Sequence, residues 1–301
     1  MKLDFEQIRS IGHIDLLAKQ IVEGFMVGLH RSPFHGFSVE FSEHKSYNVG
    51  ESTRHIDWKV FAKTDKLFNK KFEEETNLRC WLLIDQSSSM YYPIDTNGKI
   101  SFSIIASACL SYLLQRQKDG VGITFFSDKI NFQTTNSAKK SHLYQLYTHL
   151  ENAWNKKEEQ QKTDLAFVLN ELVNRITKRS LVVVFTDLLT SSSSVDQIIQ
   201  GLRHLKHDRH EIIFFHVHDS VSEVELAFDR NNYEFIDIEN NEKVELNPHE
   251  IKDEYKQQIK NYFYEIKLKM GQLNIDFIEL DTQESIDKVL MAYLLKRQKM
   301  L

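Results

Sequence analysis

Three short polar segments carry the side chains best suited to bind a ligand. The first contains Asp85, Ser87 and Ser89, which are a carboxylate and two hydroxyls at alternate positions. The second supplies the hydroxyl of Thr163, and the third supplies the carboxylate of Asp187. Oxygen ligands with few charges, which leave water to complete an octahedron, suit Mg²⁺ or Mn²⁺ better than zinc. The sequence therefore predicts a site for a hard divalent cation.

Such a site favours docking over catalysis. Because only one or two carboxylates face the ion, the site keeps positive charge and an open position that a carboxylate from another protein can fill. The sequence contains no nucleophile elbow, phosphate-binding glycine loop or dinucleotide fingerprint. Ser87 also stands where a phosphoaspartate phosphatase needs its second aspartate. We therefore expect no catalytic residues, and a protein ligand that supplies an Asp or Glu.

A different metal-binding interpretation involves His216, His218 and Asp219. The two histidines alternate at the end of an apolar run, so their rings point the same way, as in zinc-binding His-x-His pairs. A catalytic zinc needs a third protein ligand, which the sequence does not identify. A zinc-dependent hydrolase that uses these residues is therefore one alternative, and a metal-free scaffold is another.

The elements that would position these residues alternate regularly along the chain. Short apolar runs, typical of strands buried on both faces, are separated by helix-length segments. The runs are Trp81 to Ile84, Val121 to Phe126, Leu181 to Phe185, Ile212 to Val217 and Ile275 to Leu280. The helical segments are Ile100 to Gln117, Leu143 to Asn152, Asp164 to Ile176, Val195 to Leu205, Ile251 to Lys269 and Ser285 to Lys299. This alternation predicts an α/β domain over residues 76–301, with a doubly wound, mostly parallel sheet.

Two segments depart from this alternation. Ile130 to Gln133 follows an apolar run so closely that we expect an antiparallel edge strand. Tyr233 to Leu246, with turn-forming residues at its centre, indicates an inserted hairpin. In the parallel part of such a sheet, ligands bind beyond the carboxyl ends of the strands, where Asp85 and Asp187 are placed.

Residues 1–75 are predicted to form a separate, mixed α+β region. Apolar residues recur at steps of three and four from Phe5 to about Leu29, which predicts an amphipathic helix. Phe37, Val39 and Phe41 then alternate with polar residues, which is the period of a half-buried strand.

Composition limits the possible classes of protein. With 301 residues, 41% of them hydrophobic and 27% charged, the chain is typical of a folded protein. Its net charge of -5 gives no general attraction to nucleic acid or anionic lipid. Because of this charge we expect no nucleic-acid partner. No apolar run approaches the ~18 residues of a membrane span. Because Cys80 and Cys109 are too few for a disulfide framework, we expect free thiols and a cytoplasmic protein.

The polar segments resemble the metal-ion-dependent adhesion site of von Willebrand factor type A domains, whose D-x-S-x-S, Thr and Asp elements match in type and order. The resemblance assigns Asp85, Ser87, Ser89 and Thr163 to the ion, directly or through water. It assigns Asp187 a role mainly through water. It implies a non-enzymatic module that binds proteins through a metal ion.

The segment before this domain is similar to the signature of a bacterial family known as domain of unknown function 58, in which such a segment precedes a von Willebrand A-like domain. The matching residues are Arg31-Ser32, Gly36, Glu40-Phe41, Tyr47, Gly50, Arg54 and Ile56-Asp57-Trp58. Lys45, Glu51 and Lys63 replace an arginine, an aspartate and another arginine of the family pattern. Because family members are often encoded beside MoxR-type AAA ATPases, the resemblance implies an adaptor or chaperone-like partner of such an ATPase.

Arg54, Asp57 and Trp58 are the candidate partner-binding residues of this segment. On a short helix, residues three and four apart share a face, so Arg54 can contact Asp57 or Trp58. The alternative is a buried ion pair that fixes the first region onto the sheet.

Overall fold

The structure is a computed structural model, and it describes residues 13–31, 44–46, 61–62, 68–70, 78–93, 98–155, 162–189, 193–226, 233–236 and 243–300. The chain divides into a larger unit, Met1–Phe25 with Leu78–Leu301, and a smaller unit, Met26–Asn77. The domain limits inferred from the sequence, 1–75 and 76–301, stay a prediction.

The described elements follow one another in this order along the chain: α1 (Ile14–Arg31), β1 (His44–Ser46), β2 (Phe68–Lys70), β3 (Arg79–Asp85), α2 (Gly98–Arg116), β4 (Gly120–Phe126), β5 (Ile130–Gln133), α3 (Lys140–Asn155), α4 (Leu165–Arg175), β6 (Leu181–Thr186), α5 (Val195–His207), β7 (Glu211–His218), β8 (Tyr233–Ile236), β9 (Lys243–Leu246), α6 (Pro248–Gln272), β10 (Asp276–Asp281) and α7 (Asp287–Met300). In the smaller unit, β1 and β2 pair antiparallel. The predicted strand over Phe37 to Phe41 lies outside the described residues.

The larger unit is built on a six-stranded sheet in the order β10-β7-β6-β3-β4-β5. The pairings among β10, β7, β6, β3 and β4 are parallel, and β5 pairs antiparallel with β4 at one edge. The α/β class with a mostly parallel sheet is thus confirmed, as is the edge strand. The predicted hairpin is also present, since β8 pairs antiparallel with β9.

Helices cover both faces of this sheet. Leu83, Val184 and Phe214 belong to one core cluster with apolar residues of α4, α5 and α6. Because successive side chains of a strand point to opposite faces, the adjacent strand residues face the other side, where α2 and α7 contact the strands. Leu82 and Val183 on that side are also fully buried. Burial on both faces explains why the strands appear in the sequence as continuous apolar runs.

The helix α1 corresponds to the amphipathic helix predicted near the start of the chain, and its residues up to Phe25 belong to the larger unit. The described helix runs from Ile14 to Arg31, and the part of the predicted helix in residues 1–12 lies outside the described residues. Ile14, Leu17 and Val22 are buried along one stripe, as the periodicity predicts.

The strand order places a crevice beside β3. From β3 the chain passes to β4 on one side and later returns to β6 on the other, so the connections after β3 and β6 lead away from each other. Two backbone hydrogen bonds join the neighbouring loops: Gln86 N–H donates to Phe126 O at 2.7 Å, and Asp164 N–H donates to Ser127 O at 3.2 Å. The predicted metal ligands therefore lie at the carboxyl edge of the sheet, with Asp85 at the end of β3 and the others on the adjoining loops.

Candidate functional site

Asp85 is the last residue of β3, and its carboxylate is fully buried. Ser87 N–H donates to its Oδ1 at 2.8 Å, and Thr186 Oγ1 donates to its Oδ2 at 2.6 Å. Thr186 ends β6, whose Phe185 pairs with Ile84 of β3, so the sheet register brings these two strand ends together. No lysine, arginine or histidine in the described part of the chain forms an ion pair with Asp85.

The hydroxyls of the site lie on the two loops that flank Asp85. Ser87 Oγ and Ser89 Oγ share a hydrogen bond of 3.1 Å, so the loop after β3 directs both side chains to one place. Ser87 is fully buried and Ser89 is half-buried. Thr163 is also buried, and the next residue, Asp164, caps α4 by accepting a hydrogen bond from Phe167 N–H at 3.0 Å.

Asp187 is held by a lysine that the sequence analysis did not include. Lys99, the second residue of α2, is fully buried, and its Nζ donates to Asp187 Oδ2 at 2.7 Å. The same Nζ also donates to Glu223 Oε1 in the turn Ser220–Val224 that follows β7. The other oxygen of Asp187 accepts from Leu189 N–H at 3.1 Å. Lys99 therefore links the loop after β6, through Asp187, to the turn after β7, through Glu223.

Electrostatics distinguish Asp85 from Asp187. Burial, together with the nearby charge of Asp187, raises the pKa of Asp85 to about 7, although hydrogen bonds from Thr186 and Ser87 act in the opposite direction. For Lys99, burial lowers the pKa, but the charges of Asp187 and Glu223 outweigh it and the net pKa is raised. Asp187 thus has a cationic partner, whereas Asp85 is a buried carboxylate with hydrogen bonds and without an ion-pair partner in the described part of the chain.

The residues present fit a hard divalent cation. The charge of Asp187 acts on the Asp85 carboxylate, and two adjacent hydroxyls lie on the loop after Asp85. An ionised carboxylate has about four lone-pair positions, so Asp85 can accept its hydrogen bonds from Ser87 and Thr186 and still bind an ion. A cation beside Asp85 would supply the missing counter-charge.

The histidine interpretation finds less support in the geometry. The rings of His216 and His218 do lie side by side, with centroids 5.1 Å apart, and the His216 ring packs on Phe263 at 4.0 Å. Asp219 Oδ1 accepts from Ser222 N–H and Oγ, and its Oδ2 accepts from Thr282 Oγ1. Among the described residues there is no group of three or more His, Cys, Asp or Glu that could hold a metal ion.

Burial also shapes the charge state of this histidine pair. Burial, with repulsion from Lys99 and from the His218 ring whenever that ring is protonated, holds the pKa of His216 well below its usual value. Burial lowers the pKa of His218 as well. Both rings therefore pack as neutral groups at neutral pH.

Part of the predicted site cannot be placed, and part of the observed site was missed. Arg54, Asp57 and Trp58, the predicted partner-binding residues, lie outside the described residues. The sequence analysis missed Lys99 and Glu223. The one sequence signal near Lys99 is that the following residues, Ile100 to Leu114, include no charged side chain; this indicates a buried helix but does not identify the acidic partner that a buried lysine needs.

Comparison with known proteins places the chain in a family. A family model described as "Protein of unknown function DUF58" matches residues 43–262, which is most of the chain. The chain belongs to the DUF58 family. The DUF58 match includes Asp85, Ser87, Ser89, Thr163 and Asp187, and it ends within α6.

Relatives of this DUF58 chain include uncharacterized proteins of Mycobacterium bovis and Mycobacterium tuberculosis, each 27% identical over 100 residues. The matched stretch spans 33% of this chain and 32% of each relative. One solved structure similar to the DUF58 chain is the conserved hypothetical protein BatB of Bacteroides thetaiotaomicron. Its TM-score is 0.44 at 12% identity, and the match covers 74% of this chain and 99% of BatB. An aerotolerance-related membrane protein of Bacteroides fragilis also has a TM-score of 0.44, with 15% identity and coverage of 73% and 99%.

None of the helices described for this DUF58 protein combines the length and the apolar character that crossing a membrane requires.

Proposed function

We propose that this DUF58 protein is a non-enzymatic module that binds proteins through a divalent cation, Mg²⁺ or Mn²⁺, in a von Willebrand A-like domain. The observation that carries the proposal is Asp85, a fully buried carboxylate that forms no ion pair with any described residue and is placed beside a second carboxylate and two hydroxyls. Burying an uncompensated charge is costly, so such an arrangement is favoured where a bound ion or another ligand compensates it.

In this proposal Asp85, Ser87, Ser89 and Thr163 hold the ion directly or through water, and Asp187 contributes through water. The ion supplies positive charge and an open coordination position, which an Asp or Glu of the partner fills. Ser87 N–H and Thr186 Oγ1 fix the orientation of the Asp85 carboxylate.

The same contacts support a role without catalysis. The hydroxyls of Ser87 and Ser89 share a hydrogen bond, and among the described residues neither is hydrogen-bonded to a histidine, which is the usual activating base of a serine nucleophile. The cytoplasm is the location we propose, because Cys80 and Cys109 are buried free thiols and a reducing compartment keeps thiols in that form.

Calorimetry tests the metal site. We expect the wild-type protein to bind Mg²⁺ and Asp85→Ala to lose at least about 10-fold in affinity, since changes even to groups that only support a metal ligand typically have this effect. Asp128→Ala is the matched control, because Asp128 is an exposed acid on the loop after β4 at the same edge of the sheet. Equal affinity of the wild-type protein and Asp85→Ala would remove Asp85 from the site, and absence of binding would leave a metal-free scaffold.

The partner we propose is a MoxR-type AAA ATPase, and this rests on the resemblance of the upstream segment and on the family match at residues 43–262. We expect the purified ATPase to bind immobilised wild-type protein in constant Mg²⁺, and to bind Asp85→Ala at least about 10-fold more weakly. Keeping Mg²⁺ constant avoids removing the ion from the ATPase itself. Equal binding of the ATPase to wild type and Asp85→Ala would show that the ion takes no part in this contact, and Asp128→Ala again serves as control.

A further inference from the structure

The Lys99 ammonium group is buried against one of the two carboxylates of the proposed ion site. Its Nζ is 2.7 Å from Asp187 Oδ2, and its side chain is 0% exposed. Asp187 is 2% exposed by its side chain, so water does little to screen this ion pair. Lys99 therefore places a positive charge, which unlike a bound metal ion cannot diffuse away, against one of the two carboxylates of the site.

Glu223 is the second acidic partner of this lysine. Its Oε1 accepts from Lys99 Nζ, and its Oε2 accepts from the backbone N–H of Asp219 at 2.9 Å. Glu223 is thus fixed in the turn Ser220–Val224 independently of Lys99. With Asp85, Asp187 and Glu223 ionised and Lys99 protonated, one positive charge is shared among three negative charges, and Asp85 is the carboxylate that this lysine does not contact.

A dication and an ammonium group compete for the same carboxylate. An ion near Asp85 and Asp187 repels Lys99, and it also draws on the charge of Asp187 that now stabilises Lys99. Removing the lysine charge would therefore strengthen binding of the ion. Removing the Glu223 charge would leave Asp187 as the remaining acidic partner of Lys99, so the Lys99–Asp187 pair would strengthen and ion binding would weaken. Coupling of this kind between two sites is reciprocal, so the ion must weaken the Lys99–Asp187 pair by the same factor.

We propose that Lys99 sets the divalent-cation affinity of the Asp85–Asp187 site by acting as a tethered competing cation, with Glu223 as the partner that retains it when the ion binds. This inference rests on the proposed metal-binding function and names a residue that tunes it. Lys99 is a tuning residue rather than a ligand, because a positively charged ammonium group cannot coordinate a metal ion.

Calorimetric titration with Mg²⁺ alone, at pH 8, tests this role in the full-length chain. Four proteins are compared: wild type, Lys99→Met, Lys99→Arg and Glu223→Gln. We expect Lys99→Met to bind Mg²⁺ at least about 10-fold more tightly than wild type, which is a typical coupling factor. Lys99→Arg keeps the charge and is expected to remain within about 3-fold of wild type, whereas Glu223→Gln is expected to bind about 3- to 10-fold more weakly.

The opposite signs expected for the two charge removals distinguish competition from a merely structural role. Glu223→Gln keeps the Lys99–Asp187 pair, so it tests the proposal even if Lys99→Met does not fold. Unchanged or weaker binding by Lys99→Met, or unchanged or tighter binding by Glu223→Gln, would overturn the role of Lys99 while leaving the ion site in place. If none of the four proteins bound Mg²⁺, both the proposed function and the role of Lys99 would be contradicted. If only Lys99→Met bound Mg²⁺, the result would support the role of Lys99 as a competing cation.

Discussion

Replacing Lys99 with methionine is expected to lower the free energy of unfolding of the metal-free protein by about 3–5 kcal/mol, the usual cost of removing one partner from a buried ion pair. The substitution leaves Asp187 and Glu223 without the ammonium group that both contact. Methionine retains most of the length of the lysine side chain, so lost packing contributes little. Urea unfolding followed by circular dichroism in the presence of EDTA measures the change.

Lys288→Met is the matched control for this substitution. Lys288 pairs with Glu284 one turn away, and both side chains are 43% exposed. Solvent and salt screen such a pair, so its loss is expected to cost less than about 1 kcal/mol. A cost for Lys99→Met no greater than that for Lys288→Met would show that Asp187 and Glu223 do not depend on Lys99.

Asp85→Asn is expected to make the metal-free protein more stable than wild type at pH 8. The pKa of Asp85 is about 7 in the folded state, against 3.8 for an ordinary aspartate side chain. The folded state therefore holds this proton more tightly, and ionisation destabilises the fold as pH rises from about 4 to about 7. Asparagine cannot ionise, and its Oδ1 can still accept from Ser87 N–H. The expected gain at pH 8 is on the order of 2–4 kcal/mol.

Measuring the free energy of unfolding of both proteins from pH 4 to pH 8 in EDTA checks this expectation. The difference between the two is expected to be small near pH 4 and to grow as pH rises toward 8. Asp128→Asn, at an exposed position on the same edge of the sheet, should follow the wild-type curve. Excess Mg²⁺ at pH 8 should stabilise wild type and leave Asp85→Asn unaffected. Parallel curves for wild type and Asp85→Asn would mean that Asp85 is not a strained buried acid.

The strands could be predicted from the sequence because burial on both faces imposes a simple pattern. Leu181 to Phe185, for example, is apolar throughout, and all five of these side chains are fully buried in β6. The same rule that parallel strands share a carboxyl edge predicted that Asp85 and Asp187 lie at one edge. Strand order could not be predicted, since periodicity does not state which strands are neighbours. That order is what places Thr186 within hydrogen-bonding distance of Asp85.

The cationic part of the site could not be found by the same reasoning. We predicted the helix from Ile100, one residue after Lys99, and a lysine at a helix end usually lies in solvent. Glu223 follows β7 in a turn, 124 residues from Lys99 along the chain, and no spacing rule connects the two. Ion pairs between distant residues depend on how the elements pack, and the apolar pattern carries that information only indirectly.

The edges of the six-stranded sheet limit how another protein can bind to it. Among the described strands, β10 forms one edge and carries three acids, Asp276, Glu279 and Asp281, two of which pair with lysines at Lys296 and Lys267. The opposite edge, β5, has only four residues. Charged or very short edges are poor templates for strand addition from a second polypeptide. Recognition by β-augmentation is thus disfavoured, which leaves side-chain contacts with the loops as the better route to association.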